Sequence, residues 1–436
     1  MVEFGKLNKA LKLPPDPKEL LEDLPFHVGE QWAGKRIRNN DMYVEFGGPK
    51  VKAAAELIEF SEEDKTLEDG KLELWGPDFD EIDEGFSYSF IEIITLSSST
   101  LDIITPGLLE GIISHLHDFI EGIMHLNMRN LIWIRIHKSL AKRGIKIEHL
   151  ARALMGQLKN AFPQIGKVEI KFLIDSAQNP NKTLRILNDD CFYIWEQRRL
   201  EALKLNDDEV DKFYGCTGCK YYCPNHACIV TPNNYGTCGV INWKDANISF
   251  KLKPKEIFFE IPKGETLDNL YGSYTGVNAK ISEFTNKTVK KVNLYSAFKD
   301  PQTSCRYFEA LLFQIPEIDA LGIADYYYKG ETPLEINFST VNKIYNRNIQ
   351  SPGYRGIALT ALKDKKFMQG DGGWKRIVWI NKNLKDRVEK WIPDRLKDKI
   401  ATEEKVISAK KLVEFINKQD HPLKKETWNG TTWILK

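Results

Sequence analysis

Apolar and polar positions alternate through MYVEFGG (42–48) and KLELWGP (71–77), the period-two pattern of a half-buried strand. KVKAAAELIEF (50–60) continues this strand-like stretch, and the polar run SEEDKTLEDG (61–70) reads as the turn between them. FSYSFIEIITLSSSTLDIITPGLLEGIISHL (86–116) is the most apolar segment, but Glu92, Asp102 and Pro106 interrupt it, which predicts a buried strand, a turn and a helix. The helical period through Leu108, Ile112, His115, Leu116, Phe119 and Ile123 predicts a helix over 107–128. NLIWIRI (130–136) reads as a short buried strand, IKIEHLARALMGQLKNAFPQI (145–165) as an amphipathic helix stopped by Pro163, and KVEIKFLID (167–175) as a strand. Residues 1–35, with Pro14, Pro15 and Pro17, read as an irregular arm carrying one short helix. A charged helix over roughly Asp190–Asp211 connects to a second half. That half holds EIFFEI (256–261), a Gly/Tyr-rich loop (270–276), KKVNLYS (290–296), a turn and helix at Cys305, a hairpin at QGDGGW (369–374) before RIVWI (376–380), and a lysine-rich helical tail. Alternating strands and helices predict a mixed α/β fold in two domains, residues 1–209 and 210–436.

At 436 residues the chain is too long for one ordinary domain, and 42% hydrophobic with 28% charged residues is the composition of a folded protein. Sixty-two Lys plus Arg against 61 Asp plus Glu leave a formal charge of +1, which argues against bulk nucleic-acid or anionic-membrane binding, since both need a strong positive field. With no signal-like or bilayer-length apolar run, a cytoplasmic protein is expected.

Seven cysteines change the picture: Cys191, Cys216, Cys219, Cys223, Cys228, Cys238 and Cys305, five of them within 23 residues. An odd, clustered set in a long chain points to metal or redox chemistry rather than a disulfide framework. In FYGCTGCKYYCPNHACIVTPNNYGTCGVINW (213–243), Cys216 and Cys219 form a C-x-x-C pair, and Cys228 and Cys238 follow after eight and nine intervening residues. Pro224, Pro232, Gly236 and Gly239 keep the path irregular, as a loop wrapping a compact object requires. Four soft thiolates suit an iron–sulfur cluster or a zinc ion. The second pair is not a zinc knuckle, which places the cluster ahead. Cys223 is either a packed cysteine or a fifth ligand, and His226 either hydrogen-bonds loop carbonyls or serves as ligand or proton carrier. Tyr221, Tyr222, Tyr235 and Trp243 read as an aromatic wall, with the Tyr222 hydroxyl a candidate catalytic group. His115 and His117 lie two apart on a helix and face different ways, so a metal shared between them is not expected.

The cysteine run resembles the cluster loop of the acetyl-CoA synthase (β) subunit of the carbon monoxide dehydrogenase/acetyl-CoA synthase complex. The resemblance rests on Cys216-Thr217-Gly218-Cys219, Pro224-Asn225-His226-Ala227-Cys228-Ile229-Val230-Thr231-Pro232 and Cys238-Gly239. VEFGG (44–48), DGKLELWGPDFD (69–80), NLIWIRIHK (130–138), FSTV (338–341) and DGGWKRIVWI (371–380) extend it in order over nearly the whole chain, in a short form without the extra N-terminal domain of the bacterial enzymes. The resemblance implies that Cys216, Cys219, Cys228 and Cys238 hold a [4Fe–4S] cluster in the second domain, near the interface. It also implies that Cys219 bridges to a further metal. The family's downstream Cys-Gly-Cys, which holds a distal nickel, corresponds here to Cys305-Arg306-Tyr307. Square-planar nickel of that kind needs both thiolates and the intervening amides, so the distal site is expected to be absent. One additional metal, iron or nickel, is expected at Cys219 and Cys305, with Cys223, where the family tends to have alanine, as a candidate third ligand. Arg306 is a candidate for attracting an anionic substrate. GETPLEINFST (330–340) replaces the family's methionine-containing loop near the metals.

Three functions follow from the resemblance. The first is CO or acyl–metal chemistry in metallocofactor biosynthesis, for example forming carbonyl or acyl ligands of the iron-guanylylpyridinol cofactor of mono-iron hydrogenase. The second is an acetyl-CoA synthase variant condensing CO, a corrinoid methyl group and CoA. The third is a non-catalytic iron–sulfur scaffold. The expected partners are a small-molecule or cofactor-precursor substrate and either cofactor-biosynthesis proteins or a corrinoid protein, with no nucleic acid and no membrane.

Overall fold

The structure is a computed structural model. It describes residues 7–29, 37–51, 53–61, 67–97, 105–125, 132–177, 179–218, 227–239, 241–252, 257–302, 308–345, 352–425, 427–428 and 433–434. The chain divides into two compact units, Met1–Glu201 and Ala202–Lys436.

In the first unit the elements run β1 (Lys9–Lys12), α1 (Pro17–Leu21), β2 (Met42–Gly47), β3 (Ala54–Ser61), β4 (Lys71–Trp75), β5 (Ser87–Ser97), α2 (Thr105–Asp118), β6 (Ile123–His125), β7 (Trp133–His137), α3 (Lys138–Lys142), α4 (Ile147–Ala161), β8 (Val168–Ser176), α5 (Asn181–Ile186) and α6 (Phe192–Ala202). The strands form one mixed sheet in the order β1-β4-β8-β5-β2-β7-β6. Strand β5 is long enough to take two neighbours end to end on one side: β2 pairs with Ser87 and Tyr88, and β3 pairs in parallel with Phe90–Ser97. One face of the sheet, including Ala53, Leu57, Ile91, Ile93 and Leu173, packs on Ile186, Leu187, Cys191 and Trp195. Alternate residues turn Glu56 and Glu92 away from that cluster, because side chains on a strand alternate in facing. Strand β3 is an edge. The N–H of Ile58 donates to the Glu110 carboxylate (2.9 Å), and Arg198 donates both to the Ile58 carbonyl and to Glu110 (2.6 Å). Side chains from α2 and α6 thus occupy hydrogen-bonding groups that an edge strand would otherwise present to another chain.

The second unit holds β9 (Lys212–Cys216), β10 (Cys228–Val230), α7 (Trp243–Leu252), β11 (Phe258–Pro262), β12 (Thr266–Asp268), β13 (Ser273–Tyr274), α8 (Thr275–Phe284), β14 (Ala310–Ile315), β15 (Ala320–Asp325), α9 (Phe338–Tyr345), β16 (Tyr354–Ile357), β17 (Ile377–Ile380), α10 (Lys382–Val388) and α11 (Ala409–Lys418). A three-stranded antiparallel sheet, β10-β9-β11, packs Phe213, Ile229 and Ile261 against Val277 and Ile281 of α8. A four-stranded sheet, β16-β14-β15-β17, buries both faces. Leu312, Ile323 and Ile377 pack on Leu384 and Val388 of α10. Phe313, Ala324 and Trp379 pack on Phe338 and Val341 of α9 and Leu412 and Ile416 of α11.

Five local expectations are corrected. The N-terminal arm contains a strand, β1, paired along β4. The helix expected over 107–128 ends at Asp118. Gly122 (φ +78°) turns the chain, and Ile123 keeps the helical spacing only by coincidence while belonging to β6. The connecting helix starts at Asn181, passes through a π turn at Leu187–Cys191 and stops at Ala202, not Asp211. The residues after the Cys305 segment form strand β14 rather than a helix, with Leu312 packing on one face of the sheet and Leu311, Phe313 and Ile315 on the other. QGDGGW is not a hairpin: β17 runs parallel to β15, and the two tight turns are held by Asp371, whose carboxylate accepts from the Ser296 hydroxyl (2.8 Å) and the Ala297 N–H. Among the described residues no helix is long and apolar enough to cross a membrane.

His421 offers a pH prediction. It is fully buried, its Nε2 lies 3.1 Å from the Ile377 carbonyl, and its Nδ1 accepts from the Leu423 N–H, a pattern only the neutral ring satisfies. Burial holds its pKa down at about 4, below the ordinary 6.5. A histidine with a lowered folded pKa supports the fold above its unfolded value and loses that support as pH falls toward the folded value. Thermal stability is therefore expected to drop between pH 6.5 and 4, with the His421 ring neutral by NMR at pH 6. A ring that titrates near 6.5 would contradict this assignment.

Candidate metal centre

Three of the four cluster-type cysteines lie among the described residues. Cys216 ends β9 and Cys228 opens β10, and the antiparallel register sets them directly opposite each other. Opposed residues on such a ladder place their Cβ atoms about 4.5–5.5 Å apart on the same face. The ladder therefore presents two thiols side by side, although 12 positions separate them along the chain. Both are buried, Cys238 is half-buried, and none of the three is in a disulfide. The Cys228 sulfur lies 3.9 Å from the Thr237 hydroxyl, so the residue preceding Cys238 sits against Cys228.

The surroundings hold this geometry. Gly215 lies across from Phe259, whose ring would be 2.1 Å from a Cβ at that position, so only glycine lets the ring cross β9. The Thr217 N–H and hydroxyl both donate to the Ile257 carbonyl (2.8 and 3.1 Å), carrying the pairing past Cys216. The Gly218 N–H points at the Cys216 sulfur at 3.5 Å. On the other side, the turn after β10 is fixed by Asp207. Its carboxylate accepts from the Thr231 hydroxyl (3.0 Å), the Asn233 N–H (2.8 Å) and the Tyr295 hydroxyl (2.7 Å). Burial raises the Asp207 pKa above the usual carboxylate range against these hydrogen bonds. Of the expected aromatic wall, Tyr235 is buried with its hydroxyl group pushed up by burial, and Trp243 donates from its indole to the Lys212 carbonyl (2.9 Å).

Cys219, Tyr221, Tyr222, Cys223, His226, Cys305 and Arg306 lie outside the described residues. The flanks of the Cys305 segment are described, and both are held against the cysteine loop. Gln302 accepts from the N–H of Ile229, next to Cys228 (2.7 Å), and its carbonyl accepts from Arg355. The Glu309 carboxylate accepts from the Leu359 N–H (2.8 Å) and closes on Gly239, where a Cβ would come within 2.1 Å of it. Gly239 adopts φ +72°, so it is the residue type that both the backbone and the approach of Glu309 demand. The sequence reading missed Asp207, Gln302 and Glu309. Each acts on a loop residue 26, 73 or 70 positions away, and no local spacing signals such a pairing.

Soft thiols gathered from one winding segment, with a backbone N–H directed at one sulfur, fit a thiolate-ligated metal or iron–sulfur group. Cys216, Cys228 and Cys238 are the described residues that would hold it.

Fold and site together define a class: two mixed α/β units, the second presenting a thiol-lined loop. Residues 195–427 match the C-terminal family of the ACS/CODH beta subunit, and residues 24–179 match the CO dehydrogenase/acetyl-CoA synthase complex beta subunit family. The chain belongs to this β-subunit family. It is similar to acetyl-CoA decarbonylase/synthase complex subunit beta 2 of Methanocaldococcus jannaschii, 41% identical over 403 residues, covering 92% of this chain and 84% of that one. Subunit beta 1 of the same organism is 39% identical over 422 residues, 97% of this chain but 55% of that protein. The subunit beta of Methanopyrus kandleri is 39% identical over 404 residues, 92% of this chain and 85% of the relative.

Proposed function

We propose that the protein is a cytoplasmic, acetyl-CoA-synthase-like metalloprotein that handles CO or an acyl group at one metal beside a [4Fe–4S] cluster. In this reading Cys216, Cys219, Cys228 and Cys238 hold the cluster. Cys219 and Cys305 hold the neighbouring iron or nickel, with Cys223 as a third ligand. The observation that carries the proposal is the run Cys305-Arg306-Tyr307, where the family resemblance implies Cys-Gly-Cys: in this reading one thiolate is kept and its partner is replaced by a harder, bulkier phenol. When bound, such a metal supplies a soft centre for carbon-bound CO and acyl groups.

The chain's own residues do the rest. The β9–β10 ladder aims Cys216 and Cys228, Asp207 fixes the turn behind them, and the anchoring of Gln302 and Glu309 to the cysteine loop favours a Cys305 thiolate beside the cluster. Arg306 offers a cation to an anionic substrate, and His226 and Tyr222 offer groups that hold or move a proton. In its narrowest form the reading sends the product into another metallocofactor, such as the carbonyl and acyl ligands of the iron-guanylylpyridinol cofactor, with cofactor-biosynthesis proteins as partners. The loss of the second thiolate supports this. A second reading, an acetyl-CoA synthase variant using CoA and a corrinoid methyl donor, is favoured by the 41% identity to a decarbonylase/synthase subunit.

The test is metal and sulfide analysis of anaerobically purified protein, followed by an assay with CO, CoA and methylcorrinoid after nickel loading. About four iron and four sulfide with about one further thiolate-bound metal, and no acetyl-CoA, support the first reading. Acetyl-CoA formation at the rate of an intact relative selects the second. Zinc without inorganic sulfide removes both.

A further inference from the structure

We propose that Glu56, Glu92, His117 and His125 form a second metal site, a closed structural site for a divalent first-row cation of zinc type, in the first unit. It is independent of the thiol loop and of the function proposed above.

Four elements build it. Glu56 on β3 and Glu92 on β5 are register partners in the parallel pair, and both face away from the cluster beneath α5 and α6. His117 comes from the last turn of α2 and His125 from the end of β6. The His125 Nε2 lies 2.6 Å from Glu56 Oε1, and the His117 Nε2 lies 3.3 Å from Glu92 Oε2. One ligand atom from each of Glu56, His117 and His125 falls within 4.8 Å of the other two. A tetrahedral ion with bonds of about 2.0–2.2 Å sets its ligand atoms about 3.3–3.6 Å apart, so small side-chain rotations bring these donors onto one ion.

The outer contacts are those of metal-binding histidines. The His117 Nδ1 lies 2.9 Å from the Ile113 carbonyl, which places a proton on Nδ1 and directs Nε2 at Glu92. The His125 backbone N–H donates to Asp118 Oδ1 (3.1 Å), fixing the strand that carries the second imidazole.

The decisive feature is what is buried without a partner. The four side chains are 0, 1, 0 and 4% exposed in the order Glu56, Glu92, His117 and His125. Among the described residues, Glu92 Oε1 and His125 Nδ1 have no hydrogen-bond partner. Two carboxylates withdrawn from water need a compensating cation. Protons on both imidazoles would set two like charges on rings with centroids 5.2 Å apart. One divalent ion neutralises both carboxylates and leaves the rings neutral. Two nitrogen and two oxygen donors suit zinc, or iron(II) as the nearest alternative, better than calcium or magnesium. Full burial leaves no open position for substrate, so the ion's role is to fasten α2 and β6 onto the β3–β5 pair.

The experiment uses the full-length chain purified without oxygen. Elemental analysis and X-ray absorption are expected to find about one divalent ion with nitrogen and oxygen ligands only, in addition to metal bound by thiolates. Glu92→Gln and His125→Gln are expected to lose that equivalent while acid-labile sulfide and thiolate-bound metal stay unchanged. Chelation is expected to lower Tm in the wild type and not in Glu92→Gln. Equal metal content in wild type and both variants overturns the proposal. If the variants fail to fold, crystals of the wild type soaked in Zn2+ decide: anomalous density among the four side chains supports the site, and its absence sinks it.

Discussion

Replacing Cys228 with alanine is expected to strip iron and inorganic sulfide from the protein while both units stay folded. Cys228 opens a strand whose next two residues, Ile229 and Val230, are buried, and whose Ile229 N–H is held by Gln302. The backbone there stays fixed when the thiol is removed, so the effect falls on the proposed metal centre. Losing an outer-shell partner of a metal site costs about 10–100-fold in affinity, and losing a direct thiolate costs more. Cys191→Ala is the control. That thiol is buried among Leu57, Leu187 and Trp195 in the first unit, and burial pushes its pKa up, which keeps it a packed, unreactive side chain. Its loss is expected to leave metal and sulfide unchanged. A Cys228→Ala protein with full iron and sulfide would remove the cluster assignment.

The second large effect is on stability. Arg198→Met is expected to destabilise the first unit by about 3–5 kcal/mol, because it leaves the fully buried Glu110 carboxylate without its cation and the Ile58 carbonyl on the edge of β3 without its donor. For a unit of this size that is a fall of about 10 °C in its unfolding transition. Adding Glu110→Gln to Arg198→Met is expected to recover part of the loss, since it removes the buried charge. Calorimetry of the three proteins checks both statements. A single Arg198→Met variant within about 0.5 kcal/mol of wild type would mean that the pair is not buried in solution.

Much of the architecture could be read locally. The alternation in MYVEFGG and KLELW became β2 and β4, KVEIKFLID became β8, and the amphipathic run before Pro163 became α4. These elements are legible because a strand or helix buries one face against a neighbour, and the period of burial is written into adjacent residues. Where the period was ambiguous the reading failed. Ile123 sat in helical phase with Phe119, yet Gly122 had already turned the chain into β6.

That one error concealed the histidine–carboxylate cluster. With a helix running to 128, His117 has only His115 for company, and two residues on a helix do not share an ion. The real neighbours of His117 are Glu56, Glu92 and His125, drawn from two strands and a third beyond the turn.

The sequence by itself determined the family and the clustering of cysteines in the second unit, because those are legible in residue identity and covalent spacing, and the resemblance implied that Tyr307 stands where the family has a cysteine. The tertiary structure decided that Cys216 faces Cys228, that Gln302 and Glu309 clamp the flanks of Cys305, and that two carboxylates and two imidazoles meet inside the first sheet. Such pairings join residues dozens of positions apart. They arise when apolar faces bury together and carry polar side chains with them, and no local pattern records which ones will meet.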